Sequence, residues 1–260
     1  MRQYIVDAFT DRPISGNPAA VCPQSDWLPE ATLQQIALEN NLSETAFFVN
    51  EGQSYRLRWF TPTAEETLCG HATLATAFVI LTILEPGAAE VRFETCSGPL
   101  SVVRRGDLFE MNFPTFPLRQ VPVTDDMAQA FGVRPVSAIM GLDLTCVFET
   151  EEQVRTMVPD QRLLKALPGR IQNATAPGRD TDCVSRSFCP KDGIDEDPVC
   201  GSAHCQIADY WAQALHKPLI HAYQASRRGG YLECELLGGG RIALRGKATL
   251  VAVSEIVAEL

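Results

Sequence analysis

Apolar residues along the chain occur in many short segments, several of which alternate with polar residues in the period of two that is typical of half-buried strands. In the first half this pattern predicts strands at positions 4–9, 19–22, 46–50, 55–60, 90–95, 100–104 and 108–113. In the second half it predicts strands at positions 170–175, 182–188, 219–224, 230–236, 241–245 and 249–253. Short strands therefore make up most of the predicted secondary structure.

Helices are fewer, and two of them occupy corresponding places in the two halves. Positions 70–84 are apolar on every face, so a helix there must be enclosed by its neighbours. Positions 201–215 predict the second helix. Shorter helices are predicted from 28–30 to 40–41, near 125–131 and near 160–167. Because strands rarely alternate one for one with helices, the pattern favours an α+β fold with mostly antiparallel sheet.

A short sequence motif is repeated in the two halves of the chain. Phe60-Thr61-Pro62 precedes Cys69-Gly70-His71-Ala72, and Phe188-Cys189-Pro190 precedes Cys200-Gly201-Ser202-Ala203. The repeat predicts an internal duplication with similar domains at 1–115 and 116–260, each a mostly antiparallel sheet wrapped around a central buried helix. The last strand is a candidate to pack with the first domain. A pseudo-two-fold site is expected between the halves.

Composition and charge exclude several classes of protein to which the chain could belong. Hydrophobic residues make up 45% and charged residues 21%, which excludes a disordered chain, a collagen-like fibre and a small disulfide scaffold. The formal net charge of −10 disfavours nucleic acid and anionic membrane surfaces as partners. Nine cysteines without a secretory start predict reduced thiols and a cytoplasmic protein. The apolar stretch at 72–84 is too short for a membrane-spanning helix.

The two predicted helix starts carry candidate chemistry. Gly70 and Gly201 open the two helices, where unpaired backbone N–H groups and the helix dipole attract an anion such as a carboxylate. The same dipole is expected to lower the pKa of His71 and keep its imidazole neutral. Glu44 and Asp197 are candidate proton carriers, because a positioned carboxylate serves as a general acid or base. Each feature alone also fits an ordinary helix cap or a solvated acid.

Five motifs occur in order along nearly the whole chain. They are Gly16-Asn17-Pro18-Ala19-Ala20-Val21, Asn41-Leu42-Ser43-Glu44-Thr45-Ala46-Phe47, Phe60-Thr61-Pro62, Leu68-Cys69-Gly70-His71-Ala72-Thr73 and Glu196-Asp197-Pro198-Val199-Cys200-Gly201-Ser202-Ala203-His204. With the later Arg228-Gly229-Gly230, this set resembles the phenazine-biosynthesis PhzF-like family. The resemblance implies a diaminopimelate-epimerase-like fold of two similar domains, an active site in the cleft between them, and a homodimer.

The resemblance also implies a reaction class. The founding enzymes of the family isomerise a dihydro-hydroxyanthranilate by moving a proton, without cofactor or metal. Carried over residue by residue, it implies catalytic roles for Glu44, His71 and Asp197, with Glu44 as the proton shuttle, and substrate binding by Gly70, Gly201 and Ser202. The sequence is therefore interpreted as a cofactor-independent isomerase that acts by general acid–base proton transfer on a small anionic metabolite bearing a carboxylate.

Cys200 departs from the family pattern, in which threonine is expected at this position. With Cys69 it forms a pair of Cys-Gly steps similar to the two-thiol site of diaminopimelate epimerase and proline racemase, where a thiolate removes an α-proton. A racemase or epimerase using Cys69 and Cys200 is therefore an alternative, as is a non-catalytic carboxylate-binding protein on the same fold. A set formed by Cys189, Cys200, His204 and Cys205 matches no common zinc module, so no metal is predicted.

Overall fold

The computed structural model describes residues 1–258 of the chain. These residues form two compact units. The first comprises Met1–Asn112 together with the chain from Arg245 onward, and the second comprises Phe113–Leu244. The chain thus leaves the first unit after Asn112 and returns to it at Arg245.

Strands dominate the first half of the chain. The elements up to and including the strand that crosses the first unit boundary are β1 (Arg2–Ala8), β2 (Asn17–Gln24), α1 (Glu30–Asn40), β3 (Glu44–Asn50), β4 (Tyr55–Phe60), β5 (Glu65–Glu66), α2 (Gly70–Val79), β6 (Glu90–Thr95), β7 (Gly98–Arg105) and β8 (Leu108–Pro114). α1 ends, as predicted, at an asparagine in the left-handed conformation, Asn41 with φ 48°.

The second half contains a similar series of elements. They are β9 (Arg119–Val121), α3 (Asp125–Phe131), β10 (Ser137–Met140), β11 (Leu144–Val147), α4 (Glu151–Thr156), α5 (Gln161–Ala166), β12 (Gln172–Pro177), β13 (Cys183–Phe188), α6 (Gly201–Leu215), β14 (Leu219–Gln224), β15 (Gly230–Gly238), β16 (Arg241–Gly246) and β17 (Ala248–Glu255). β17 belongs to the first unit, where it pairs antiparallel with β1.

Strand pairing follows the same order in both units. In the first unit β1–β2, β3–β4 and β6–β7 pair antiparallel, whereas β2–β3 and β4–β6 pair parallel. In the second unit β10–β11, β12–β13 and β14–β15 pair antiparallel, whereas β11–β12 and β13–β14 pair parallel. α2 and α6 provide the crossovers that the second parallel pair of each unit requires. The repeated order agrees with the duplication inferred from the repeated Cys-Gly motif.

α2 has no polar face, and its neighbours enclose it as predicted. Every residue from His71 to Val79 except Phe78 is buried, and the helix contacts β1, β2 and β3. Thr73 and Thr76 satisfy their buried hydroxyl groups by donating hydrogen bonds to carbonyl oxygens one turn earlier. The helix continues as a wider π-helical turn over Ile80–Leu84. The enclosure fixes the start of α2, where candidate site residues lie.

Several elements of the second unit escape prediction from the sequence. β10 and β11 have only four residues each, and nearly all of these are buried, so no alternation marks them as strands. α4 does carry a signal, because Thr150 and Gln153 form a capping box at its start. Within residues 1–258, no helix is both long enough and apolar enough to span a bilayer.

Candidate active site

Glu44 and His71 meet where two elements of the first unit begin. Glu44 is the first residue of β3, beside Ala19 of β2, and His71 is the second residue of α2. Oε2 of Glu44 lies 2.8 Å from Nε2 of His71, and only 15% of the Glu44 side chain and 7% of the His71 side chain are exposed. Neither atom makes a well-aligned hydrogen bond to a described residue. The pair is therefore held by charge and proximity, with the carboxylate as its more accessible member.

The other ring nitrogen of His71 faces two further side chains. Nδ2 of Asn17, a fully buried residue at the start of β2, lies 3.2 Å from Nδ1 of His71. Sγ of Cys69, the residue before α2, lies 3.5 Å from the same nitrogen. A half-turn of an amide exchanges its oxygen and nitrogen, so Asn17 can accept a hydrogen bond from a protonated Nδ1. Both nitrogens of the imidazole therefore have polar neighbours, which fixes the plane of the ring.

The pKa of His71 moves in the direction opposite to the one predicted from the helix dipole. Burial, the largest influence, lowers this pKa, because a buried imidazolium loses its hydration. Cys69 and Glu44 together outweigh burial and hold the pKa of His71 well above its ordinary value. The predicted neutral imidazole is therefore wrong, because Cys69 and the Glu44 carboxylate beside the ring act more strongly on it than the partial charge of a helix terminus does.

In the second unit, the loop before α6 carries the other predicted residues. α6 begins at Gly201, as predicted, and Cys200 precedes it. The backbone N–H of Asp197 donates to the carbonyl oxygen of Ser187 at 3.0 Å, which ties the loop to β13. Oγ of Ser202 lies 3.4 Å from Sγ of Cys200. Gly201 is buried, whereas Asp197 and Ser202 are half-buried and can contact a ligand.

Two side chains hold this loop in place. The amide of Gln224 accepts a hydrogen bond from the backbone N–H of Cys200 at 2.8 Å and donates one to the carbonyl oxygen of Asp197 at 2.6 Å. Arg186 forms a bidentate pair with Glu196, with both N–O distances 2.8 Å. Because Gln224 is fully buried, its two hydrogen bonds fix the path of the chain on both sides of Pro198.

The predicted residues thus fall into two sets, one in each unit. The first unit brings together Glu44, Cys69, Gly70 and His71, and the second brings together Asp197, Cys200, Gly201 and Ser202. A family model described as phenazine biosynthesis-like protein, PhzC-PhzF, matches residues 6–254 of the chain. The chain belongs to the PhzC-PhzF family. The resemblance inferred from the motifs is therefore confirmed.

Relatives of this PhzC-PhzF chain agree with the family over nearly its whole length. An uncharacterized isomerase of Pseudomonas aeruginosa is 47% identical over 247 residues, which cover 95% of each chain. The crystal structure of a PhzF-family phenazine biosynthesis protein from Enterococcus faecalis is 46% identical, covers 99% of each chain and has a TM-score of 0.96. These matches support an isomerase-type function.

A more distant structure establishes the fold class. A probable proline racemase from Agrobacterium radiobacter superposes with a TM-score of 0.63 over 99% of this chain and 93% of its own, at 11% identity. At that identity the similarity concerns the fold alone. Together with the PhzF-family structure, it confirms the predicted α+β, diaminopimelate-epimerase-like fold.

The two thiols of the PhzC-PhzF chain lie at helix starts, yet their environment does not favour thiolates. Burial, helped by the Glu44 carboxylate, raises the pKa of Cys69 to about 11. Burial and the nearby Asp197 raise the pKa of Cys200 well above its ordinary value. A thiolate is the form that removes a proton, so both residues are in the unreactive form near neutral pH. This observation weighs against the two-cysteine alternative.

His204 belongs to the Cys189, Cys200, His204 and Cys205 set that was considered for zinc, and its side chain makes contacts within the second unit. Nε2 of His204 lies 3.1 Å from Oγ of Ser185, and Nδ1 lies 2.7 Å from the carbonyl oxygen of Cys200. Sγ of Cys205 donates to the carbonyl oxygen of Gly201 at 3.6 Å. Because both ring nitrogens of His204 already have partners, this side chain serves the packing of α6.

Two residues with clear structural roles were not assigned any role from the sequence. Asn17 lies in the first of the five motifs, but its contact with His71 spans 54 positions and no local pattern predicts it. Gln224 did carry a signal, since it follows Ile220 and Ala222 at the third inward-facing position of β14. A polar residue at an inward position must find hydrogen-bond partners.

His204 provides a test of pH-dependent stability. Burial lowers the pKa of His204 to about 4, whereas the unfolded chain has an ordinary histidine. Between pH ~6.5 and ~4 the unfolded chain therefore binds a proton that the folded chain does not, and acidification destabilises the fold by about 3 kcal/mol through this residue. The His204→Asn variant is expected to lose this component in urea unfolding measured across that pH range. The exposed His216→Asn variant is the control; a His204→Asn curve parallel to wild type would contradict the assignment.

Proposed function

We propose that the chain is a cofactor-independent isomerase that moves a proton on a small carboxylate-bearing metabolite, with Glu44 as the acid–base residue. The observation that carries this proposal is the Glu44–His71 pair, a carboxylate in a largely buried position that retains 15% exposure of its side chain. The relatives named as isomerases support the reaction type. The family resemblance supports proton transfer without a cofactor and the carboxylate-bearing substrate.

In this mechanism Glu44 takes a proton from a carbon atom of the substrate. The electrons of the broken C–H bond move into the conjugated system of the substrate, and the same carboxyl group returns the proton to another carbon. Oε2 of Glu44 faces His71, so Oε1 is the atom assigned to the substrate. His71, whose pKa is held well above its ordinary value, keeps a positive charge beside Glu44 and orients it.

The helix starts supply the remaining groups. The backbone N–H groups at the start of α2, near Gly70, stabilise the negative charge that develops on the substrate when the C–H bond breaks. Gly201 and Ser202 are proposed to bind the substrate carboxylate, and Asp197 to position the substrate or relay charge. Their place on a loop fixed by Gln224 supports this assignment, because a binding group contributes most when it is already in position.

Two further properties accompany this function, of which the resemblance supports the dimer. We propose that the protein is a homodimer and that it acts in the cytoplasm. The nine free thiols agree with a reducing compartment. Light scattering of the purified protein measures the oligomeric state directly, and a monomer at micromolar concentration would contradict the dimer.

Deuterium incorporation from solvent tests the proposed function on a panel of candidate substrates. The purified chain is incubated in D2O with cyclic unsaturated carboxylates and amino acids, and each compound is analysed by NMR. We expect one or more unsaturated carboxylates to gain deuterium at carbon together with a shifted double bond. Racemisation of an amino acid would favour the two-cysteine alternative, whereas binding without exchange across the panel would favour a binding protein.

A further inference from the structure

Three different metal-ligating side chains converge at one buried position of the first unit. Glu44, Cys69 and His71 each offer one ligand atom, and these atoms lie within 4.8 Å of one another. Cys69 is 6% exposed and His71 is 6% exposed, so the position is shielded from solvent except beside Glu44. Oε2 of Glu44 and Nε2 of His71 have no well-aligned hydrogen bond to a described residue. These two buried polar atoms face each other at 2.8 Å and have no third hydrogen-bond partner among the described residues.

The donor set is selective for one class of cation. A thiolate, an imidazole and a carboxylate are the ligands that Zn²⁺ takes in proteins, whereas Mg²⁺ and Ca²⁺ require oxygen ligands. A deprotonated Cys69 and the Glu44 carboxylate together carry two negative charges, which a divalent cation neutralises. Such neutralisation is favourable at a buried position, where unpaired charges are costly. A metal ion also deprotonates a coordinating thiol that is otherwise neutral.

The three ligand atoms lie within 4.8 Å of one another, and local side-chain movements give the spacing that a zinc ion requires. Ligand atoms on a tetrahedral Zn²⁺ ion lie about 3.3–3.6 Å apart, given Zn–S near ~2.3 Å and Zn–N or Zn–O near ~2.0 Å. Oε2 of Glu44 is 2.8 Å from Nε2 of His71, so an ion bound to Nε2 requires this contact to open by about half an ångström. Sγ of Cys69 is 3.5 Å from the other ring nitrogen, Nδ1, so the Cys69 side chain must turn toward Nε2 to complete the set. Asn17 lies beside the histidine ring, where an amide can hold the second nitrogen of a metal-binding histidine.

We propose that Glu44, Cys69 and His71 form a Zn²⁺-binding site, with the fourth coordination position open to water. The ion replaces the imidazolium proton of His71 and the proton of the Cys69 thiol. Metal binding at these residues stands independently of the proposed isomerase function. A second consequence rests on that function: a carboxylate that ligates zinc cannot accept a proton from a substrate, so Zn²⁺ inhibits the enzyme.

Cobalt and zinc titrations of the metal-free full-length chain test the site. Co²⁺ is expected to bind with one ion per chain and to give a near-ultraviolet thiolate-to-cobalt charge-transfer band, which Zn²⁺ then abolishes by displacement. The Cys69→Ser variant is expected to lose the band and to bind Zn²⁺ at least about tenfold more weakly in calorimetry. Serine is favoured before a helix, so this variant should fold. Glu44→Gln should also weaken Zn²⁺ binding.

Cys96→Ser is the matched control, because Cys96 is an exposed thiol that contacts the carbonyl oxygen of Thr67 and does not belong to the ligand set. It is expected to keep the band and the wild-type Zn²⁺ affinity. A wild-type chain without stoichiometric binding, a band that persists in Cys69→Ser, or a band lost in Cys96→Ser would each overturn the site. The proposed isomerase activity is tested separately, by measuring deuterium exchange in the presence of a metal chelator. Zinc binding without any exchange would keep the metal site and contradict the proposed function, and exchange unaffected by saturating Zn²⁺ would overturn the inhibition.

Discussion

Replacing Glu44 with glutamine is expected to lower the rate of solvent deuterium incorporation by about three orders of magnitude, the size of a typical general acid–base contribution. Glutamine preserves the volume of the side chain and can still contact the ring of His71. It cannot accept a proton from carbon at neutral pH. The loss should therefore appear in kcat.

A matched acidic residue provides the control for this prediction. Glu39 is an exposed glutamate on α1, and Glu39→Gln removes the same negative charge from the chain without touching the site. Its exchange rate is expected to equal that of wild type. Equal losses in the two variants would show that net charge, and no particular carboxylate, sets the rate.

The thiol variants separate the two mechanisms that the sequence left open. Cys69→Ser and Cys200→Ser are expected to retain most of the exchange activity, because the raised pKa values of both thiols keep them protonated. If either serine variant abolishes exchange while Glu44→Gln retains it, the cysteines carry the reaction. The three variants together therefore give a different result for each mechanism.

Long elements with a clear pattern were predictable from the sequence. The helix predicted over 201–215 occurs with those bounds as α6, and the all-round apolar segment at 70–84 begins with an enclosed helix, α2. The strands that the pattern missed, β10 and β11, are short and almost entirely buried on both faces, so their residues show no alternation of apolar and polar positions. The end of the apolar segment also differs from the predicted α-helix, since Ile80–Leu84 forms a π-helical turn. No residue preference in the sequence predicts such a turn.

The candidate site was predictable only in part, and for a different reason. The family motifs named Glu44 and His71, but the contact between them joins a strand start to a helix start that lie 27 positions apart. The helix dipole, which can be inferred from the sequence, gave the wrong direction for the pKa of His71, because Cys69 and Glu44 together raise this pKa. Asn17 illustrates the same limit, since its role depends on where β2 begins relative to α2.

Gly16 determines where β2 begins, and replacing it with alanine is expected to lower the free energy of unfolding by about 3–4 kcal/mol. Gly16 has φ +65°, a conformation that costs a side chain about 1–2 kcal/mol. A Cβ atom there would also lie 2.2 Å from the backbone oxygen of Ala8 and 2.7 Å from a methyl carbon of Thr10. The threonine side chain can rotate, but the backbone oxygen cannot move without disturbing β1.

Gly106 separates the two contributions, because it has the same φ of +65° and nothing within 4 Å of an added Cβ atom. Gly106→Ala is therefore expected to cost only the backbone term of about 1–2 kcal/mol in urea unfolding. The difference between the two alanine variants measures the collision with Ala8. Because Gly16 directly precedes Asn17, relief of that collision would displace the amide that contacts His71. Equal losses of the free energy of unfolding at Gly16 and Gly106 would mean that the connection between β1 and β2 adjusts to an added Cβ atom without cost. The absence of a side chain at Gly16 would then not be what positions Asn17.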